Sequence, residues 1–201
     1  MATFLIPGTK WQRSGGWGPD NGLFAYGKLP PLGSSAQSST QFFEWPGGNS
    51  DRERIAGAKM LIETVAACHF ADGEKLNIIA HSHGGNLVLA ASHLGLSRPI
   101  DTLITLNKPT RLDKDYVPSS NIGSFYNIGA KGDRIQWFAS DAKWSGRWAT
   151  DAYAVNLTLD TSSSDLKPHA ALIWDDRIRE TWWKWFLQRE SCRPTSPTKI
   201  K

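Results

Sequence analysis

The chain has 201 residues, 40% of them hydrophobic and 21% charged, which suits one globular domain with a sizeable core. Its net charge of +4 is small, and Arg189, Arg193, Lys199 and Lys201 concentrate much of it at the tail, so no basic stripe marks a nucleic-acid partner. Two cysteines, Cys68 and Cys192, exclude a disulfide framework, and no apolar run approaches the ~18 residues of a membrane span.

In chain order, Thr3 to Ile6 is a short apolar run stopped by Pro7-Gly8 and reads as a first strand. Thr9 to Thr40 is rich in Gly, Pro and Ser without a helical period. So long a loop is often functional, and a short helix around Leu23 to Lys28 is the alternative. Gln41 to Trp45 is a second strand candidate, ending at Pro46-Gly47-Gly48. Ser50-Asp51-Arg52-Glu53 is a capping-box pattern, after which Ile55, Ala58, Leu61, Ile62, Val65 and Cys68 recur at helical spacing. Cys68 on that face reads as core, and one long-range bridge to Cys192 stays open.

Lys75 to Ala80 then reads as a buried strand, and Asn86 to Leu96, apolar nearly all round, as a buried helix. Ser82 sits at the turn between them. Ala80-His81-Ser82-His83-Gly84 has the small-x-Ser-x-Gly form of a nucleophile elbow, where a sharp turn lifts the hydroxyl clear of the backbone. The plainer alternative is a tight strand-to-helix turn with a capping serine. Asp101 to Leu106 is the next strand, running out into Asn107-Lys108-Pro109-Thr110-Arg111. Ser124 to Ile128 follows, ending at Gly129-Ala130-Lys131-Gly132-Asp133. Trp137 to Tyr153 is ambiguous: Trp137, Asp141, Trp144 and Trp148 fall at helical spacing, but Gly146 interrupts. Ala154 to Leu159 reads as a last strand, and Ala170 to Arg189 as a final helix with Ile178, Trp182, Trp185, Phe186 and Arg189 near one face and Trp183 off it.

Strands alternating with crossovers predict an α/β fold: a mostly parallel sheet of about six strands with helices on both faces. One domain over residues 1–190 and a basic tail over 191–201 complete the expected organisation. Sites in such sheets lie beyond the carboxyl ends of the strands, where Gly8, Gly47, Ser82, Pro109, Asp133 and His169 all fall.

A serine hydroxyl needs a base beside it, and the base needs an orienting acceptor. Of the five histidines, His69 lies at a helix end, His93 lies inside a helix, and the sharp turn points His81 and His83 elsewhere. His169, after the last strand, is the one placed to reach Ser82. Asp133 is the favoured acid. Asp113, Asp141, Asp151 and above all Asp160, at a strand end near His169, are its rivals. Backbone N–H groups of His83 and of the loop after the first strand are the candidate oxyanion donors. In that loop Pro7 cannot donate, which leaves Thr9 or Lys10, with Thr9 preferred.

These segments together resemble the α/β-hydrolase superfamily, and specifically its compact bacterial lipase- and esterase-like members. Ala80-His81-Ser82-His83-Gly84-Gly85 is similar to the lipase elbow, and Phe4 to Thr9 to the oxyanion strand and loop. Phe43 to Ser50, with Arg54 behind it, resembles a segment of compact hydrolases, as do Thr105 to Pro109, Lys131 to Gln136, and His169 with Trp174. Pro7 stands where the family has a histidine, and Asn107-Lys108 where it has Gly-Thr. The family's leading β-hairpin is expected to be missing.

The resemblance implies a minimal α/β-hydrolase fold and a serine hydrolase cleaving carboxylic esters through an acyl-enzyme on Ser82. Ser82, Asp133 and His169 would be catalytic, His83 and Thr9 the oxyanion donors, and Lys10, Trp11, Trp17 and Pro109 substrate contacts. A thioesterase or amidase with the same triad, or a catalytically silent binding module of this fold, are the alternatives. No cofactor is expected; metal-ligand spacing is absent, and Gly15 to Gly18 lacks the Lys-Ser/Thr of a phosphate loop. The expected partner is a small-molecule or lipid ester. The final helix's tryptophans read either as a docking face or as a peripheral membrane contact beside Lys184 and Arg189. With no signal-peptide pattern, a cytoplasmic location is the default. Oligomeric state is not legible in the sequence.

Overall fold

The computed structural model describes residues 2–9, 39–112, 116–141 and 151–191. Trp11, Trp17, Lys10, Asp113, Trp144, Trp148, Cys192, the tail and the alternative helix at Leu23 to Lys28 lie outside them. Six strands, β1 (Ala2–Ile6), β2 (Ser39–Phe42), β3 (Leu76–His81), β4 (Ile100–Leu106), β5 (Ile122–Ala130) and β6 (Val155–Leu159), form one sheet in the order β2-β1-β3-β4-β5-β6. Among the described residues every neighbouring pair is parallel, as expected of this fold class. The helices are α1 (Asp51–Ala67), α2 (His83–Leu94), α3 (Arg134–Ala139), α4 (Pro168–Trp174) and α5 (Asp176–Ser191).

β1 and β3 are buried at every position because helices cover both faces of the sheet. Alternate side chains supply the two cores. Phe4, Ile6, Ile78 and Ala80 pack with Ala58 and Leu61 of α1 and Leu87 of α2. Leu5, Ile79, Ile104 and Ile128 pack with Leu172 of α4 and Trp182 and Phe186 of α5. The chain leaves β1 toward one edge to form β2 and returns to the other side as β3. Strand order therefore reverses between β1 and β3, and in open parallel sheets that crevice is where ligands bind.

The capping box at α1 is half as expected. Ser50 Oγ accepts from the Glu53 N–H at 3.2 Å, a cap worth about 1 kcal/mol. The Glu53 carboxylate returns to the Ser50 hydroxyl, at 2.9 Å, rather than to its N–H. Cys68, at the end of α1, is a free thiol only partly buried against the core.

Three expected elements change shape. β2 ends at Phe42, not Trp45: Phe43 still donates to Leu5 O at 3.0 Å, but the buried Trp45 ring turns to donate to Pro7 O at 2.9 Å. Within Trp137 to Tyr153, only α3 is helical among the described residues. The final helix is two helices, because the Asp175 carboxylate accepts the N–H groups of Arg177 and Ile178 and so starts α5 afresh. The buried face of α5 is Ile178, Arg179, Trp182, Trp183 and Phe186: Trp183, expected off the face, is 7% exposed, and Trp182 is fully buried with its indole donating to Leu172 O at 3.0 Å. Trp182 and Trp183 therefore dock α5 on the sheet, while Trp185, beside Lys184, is only partly buried. No helix among the described residues is long and apolar enough to cross a membrane.

Candidate active site

Ser82 links β3 to α2 with φ 51° and ψ −131°, a left-handed backbone rare for a residue with a side chain. Its N–H donates to Leu106 O of β4 at 2.8 Å, which ties the turn to the neighbouring strand end. The turn also presses on the loop after β1. A Cβ on Gly84 would lie 2.5 Å from Pro7 O, and one on Gly8 would lie 2.7 Å from Ser82 Cβ. Both positions therefore need glycine. With the Trp45 indole on the Pro7 carbonyl, the Pro7-Gly8-Thr9 loop is fixed against the elbow. The Thr9 hydroxyl is buried there and has no hydrogen-bond partner among the described residues.

Asp133 follows the turn after β5. One carboxylate oxygen accepts the N–H groups of Ile135 and Gln136, at 3.0 and 3.1 Å, as the cap of α3. The other lies 2.6 Å from Nδ1 of His169. Both side chains are buried. His169 lies in the first turn of α4, behind Pro168, rather than in the preceding loop.

The rival acids are engaged elsewhere. Asp141 pairs with Arg111 at 3.2 Å. Asp151 pairs with Lys108 at 3.0 Å, both buried. Asp160 is exposed and accepts from Ser162 N at 2.9 Å. Asp113 lies outside the described residues. Lys108, one of the departures from the family pattern, thus fills space beside the elbow with a buried ion pair. Pro109 is buried, its carbonyl accepting from Asn86 at 3.2 Å.

The histidines beside Ser82 divide. His83 turns toward α1: Arg54 and Asn86 direct N–H donors at its Nδ1, at 3.4 and 3.2 Å, so Nδ1 accepts and Nε2 carries the proton. Burial, then the Arg54 and Arg111 charges, depress its pKa to about 3, so the ring stays neutral. His81, expected to point away, instead supports His169. Its Nε2–H donates to His169 O at 3.1 Å, and the two rings lie 4.6 Å apart. Burial, then the His169 charge, hold the His81 pKa well below the ordinary histidine value.

Asn107 is the residue that the sequence reading missed. It follows β4 with φ 51°, a conformation that asparagine tolerates better than most residues. Its Nδ2 donates to the carbonyls of Pro168 and His169, at 3.2 and 3.1 Å, and its Oδ1 accepts from Ala130 N at 2.8 Å. One side chain therefore ties the end of β5, which carries Asp133, to the turn that carries His169. The signal was present as an asparagine directly after a buried strand, a residue type that tolerates a positive φ.

Asn107→Gly keeps the backbone conformation and removes the tie. Should the His169–Asp133 pair serve catalysis at Ser82, the expected result is a fall of roughly 10–10²-fold in kcat per labelled active site, from loss of positioning. About 1–3 kcal/mol of stability goes with it, because buried backbone groups lose partners. Burst-normalised ester turnover and thermal unfolding measure the two, and a lower Tm with unchanged kcat per site would leave Asn107 a purely structural residue.

Among the described residues, no cluster of three or more His, Cys, Asp or Glu side chains is placed to hold a metal ion.

The sheet, its switch point and the strained serine turn define an α/β-hydrolase type of fold. A crystal structure of a Xanthomonas campestris pv. campestris protein named for the alpha/beta superfamily of hydrolases has the same fold. It superposes with a TM-score of 0.59 at 15% identity, over 94% of this chain and 98% of that one. No family model and no curated protein matches the chain in sequence.

Proposed function

We propose that this chain is a serine hydrolase that cleaves carboxylic esters of the esterase type, with Ser82 as nucleophile, His169 as general base and acid, and Asp133 as the orienting acid. The observation that carries the reading is the pair of constraints at one sheet end. Ser82 is held at φ 51° on a strand-to-helix turn, and the only described carboxylate on His169 Nδ1 is Asp133, at 2.6 Å.

In the first half-reaction Ser82 Oγ attacks the ester carbonyl carbon while its proton passes to Nε2 of His169. The carbon–oxygen bond to the alcohol then breaks, and the alcohol leaves with that proton, giving the acyl-enzyme. In the second half-reaction a water oxygen attacks the acyl carbon and gives its proton to His169 Nε2. The bond to Ser82 Oγ breaks, Oγ recovers the proton, and the acid departs. The Asp133 carboxylate accepts the Nδ1–H and stabilises the imidazolium in both halves. The N–H groups of His83 and Thr9 are the oxyanion donors, each worth roughly 3–4 kcal/mol in the transition state. Neutral His81 and His83 add no positive charge beside the imidazolium.

The test is a fluorophosphonate label with its adduct mapped by mass spectrometry, alongside p-nitrophenyl acetate and butyrate turnover at pH 8. A mapped adduct on Ser82 with turnover is expected. No adduct and no turnover would instead leave a silent binding module of this fold.

Gly8→Ala probes the oxyanion loop. The new Cβ would meet Ser82 Cβ at 2.7 Å and His81 Nδ1 at 3.1 Å, so the loop must move away from the nucleophile. A displacement of this kind costs on the order of 10²-fold in kcat. Steady-state kinetics on p-nitrophenyl acetate would read it, and wild-type kcat in a folded Gly8→Ala variant would remove this loop from the oxyanion site.

A further inference from the structure

Between the start of α1, the loop after β4 and the end of α3 lies a cavity of about 620 Å³, inside the roughly 300–1,000 Å³ range of small-molecule sites. His83, the residue after Ser82, forms part of its wall beside Arg54. Most ligand sites are lined mainly by apolar side chains. This one is not: Asn49, Ser50, Asp51, Arg111, Ser140 and Asp141 line it, and Phe138 and Ala139 are its apolar members.

Its charges cancel. Arg111 bridges Asp51 at 3.4 Å and Asp141 at 3.2 Å. Buried Arg54 also pairs with Asp51, and Tyr116 donates to that carboxylate at 2.8 Å. The Arg54 bond, then the Tyr116 bond, hold the Asp51 pKa below its usual value, so the network stays ionised. A carboxylate or phosphate entering the cavity would meet two acids that already hold its guanidinium. A cationic ligand would meet the guanidinium itself. An alkyl chain would desolvate charged and amide groups with nothing to replace their hydrogen bonds. A neutral group rich in hydroxyls suits all of these partners, since each hydroxyl both donates and accepts. The cavity also offers one exposed aromatic, Phe138, 69% exposed, with its ring set edge-on against Trp137 at 4.7 Å. An aromatic face beside planar amide, carboxylate and guanidinium groups is a surface on which the C–H face of a sugar ring stacks while its rim hydrogen-bonds.

We infer that this cavity receives a neutral polyhydroxylated part of the substrate, sugar-like in its chemistry, and that the esters cleaved at Ser82 are acylated polyols rather than fatty esters. The inference rests on the serine-hydrolase reading.

The experiment compares two acetates that deliver the same acyl group, 6-O-acetylglucose and n-hexyl acetate, with the full-length protein. Fluorophosphonate labelling of Ser82 is measured on the same sample. The expected result is labelling, with kcat/KM at least tenfold higher for the sugar ester, and a Phe138→Ala variant that lowers this ratio fivefold or more. Labelling with equal or better turnover of hexyl acetate overturns the inference alone, as does a Phe138→Ala variant, folded by circular dichroism, with an unchanged ratio. Absence of labelling overturns the serine-hydrolase reading and this inference with it.

Discussion

Ser82→Ala is expected to abolish fluorophosphonate labelling and to lower ester turnover by about 10⁴–10⁶-fold, the loss seen when a triad nucleophile is removed and only binding and the oxyanion site remain. The fold should be indifferent to the change. Alanine and serine bear the same steric cost at φ 51°, and the turn is held by backbone groups, through Ser82 N on Leu106 O and Gly85 N on Ser82 O at 3.0 Å. Thermal unfolding within about 1 kcal/mol of wild type is therefore the companion expectation. The pair of measurements separates chemistry from folding. A folded variant that retains wild-type turnover would show that Ser82 is no more than a strained turn residue.

Asp133→Asn carries the second large effect, and its direction follows from which atoms hold the side chain. The N–H groups of Ile135 and Gln136 both point at one carboxylate oxygen and demand an acceptor there. In the amide, the carbonyl oxygen must keep that place, and the NH₂ falls where the other oxygen faces His169 Nδ1, at 2.6 Å in the wild type. A donor at that position forces Nδ1 to accept and puts the imidazole proton on Nε2. That is the wrong nitrogen for taking a proton from Ser82. A fall of about 10⁴-fold in kcat is expected, as for the same exchange in a serine protease triad. The isosteric variant should remain folded. Asp160→Asn is the control, because Asp160 is exposed and bonded locally to Ser162; its kcat should stay within about twofold of wild type. Reversed results in the two variants would return the acid's role to Asp160.

Much of this arrangement was legible in the chain itself. Short runs punctuated by glycine, proline and polar loops located the strands to within a few residues: β1, β3 and β4 are mostly apolar because burial on both faces restricts the side chain, whereas the edge strands β2 and β6 are partly exposed and carry polar residues. The elbow was legible because its geometry is local: a small residue, a serine and a glycine between a buried strand and a buried helix. Local chemistry also misled. Nothing within a residue or two of Asp175 distinguishes a helix interior from a fresh cap, so two helices read as one. Trp183 read as off-face because the buried stripe of α5, Ile178, Arg179, Trp182, Trp183 and Phe186, lies to one side of the one that the period suggests.

What the amino-acid order determined by itself was the layer arrangement and the place of the strand-to-helix turn that holds Ser82, since both follow from patterns a few residues long. Tertiary structure alone decided the rest. Five aspartates stood as candidates for one role, and four are described; which of these meets His169 was set by where the chain ends up in space, with Lys108 on Asp151, Arg111 on Asp141, His169 on Asp133 and Asp160 exposed. His81 and Asn107 acquired their places beside His169 from contacts across 88 and 62 residues. Such pairings depend on where strand ends meet in space, and a one-dimensional pattern carries no term for that distance.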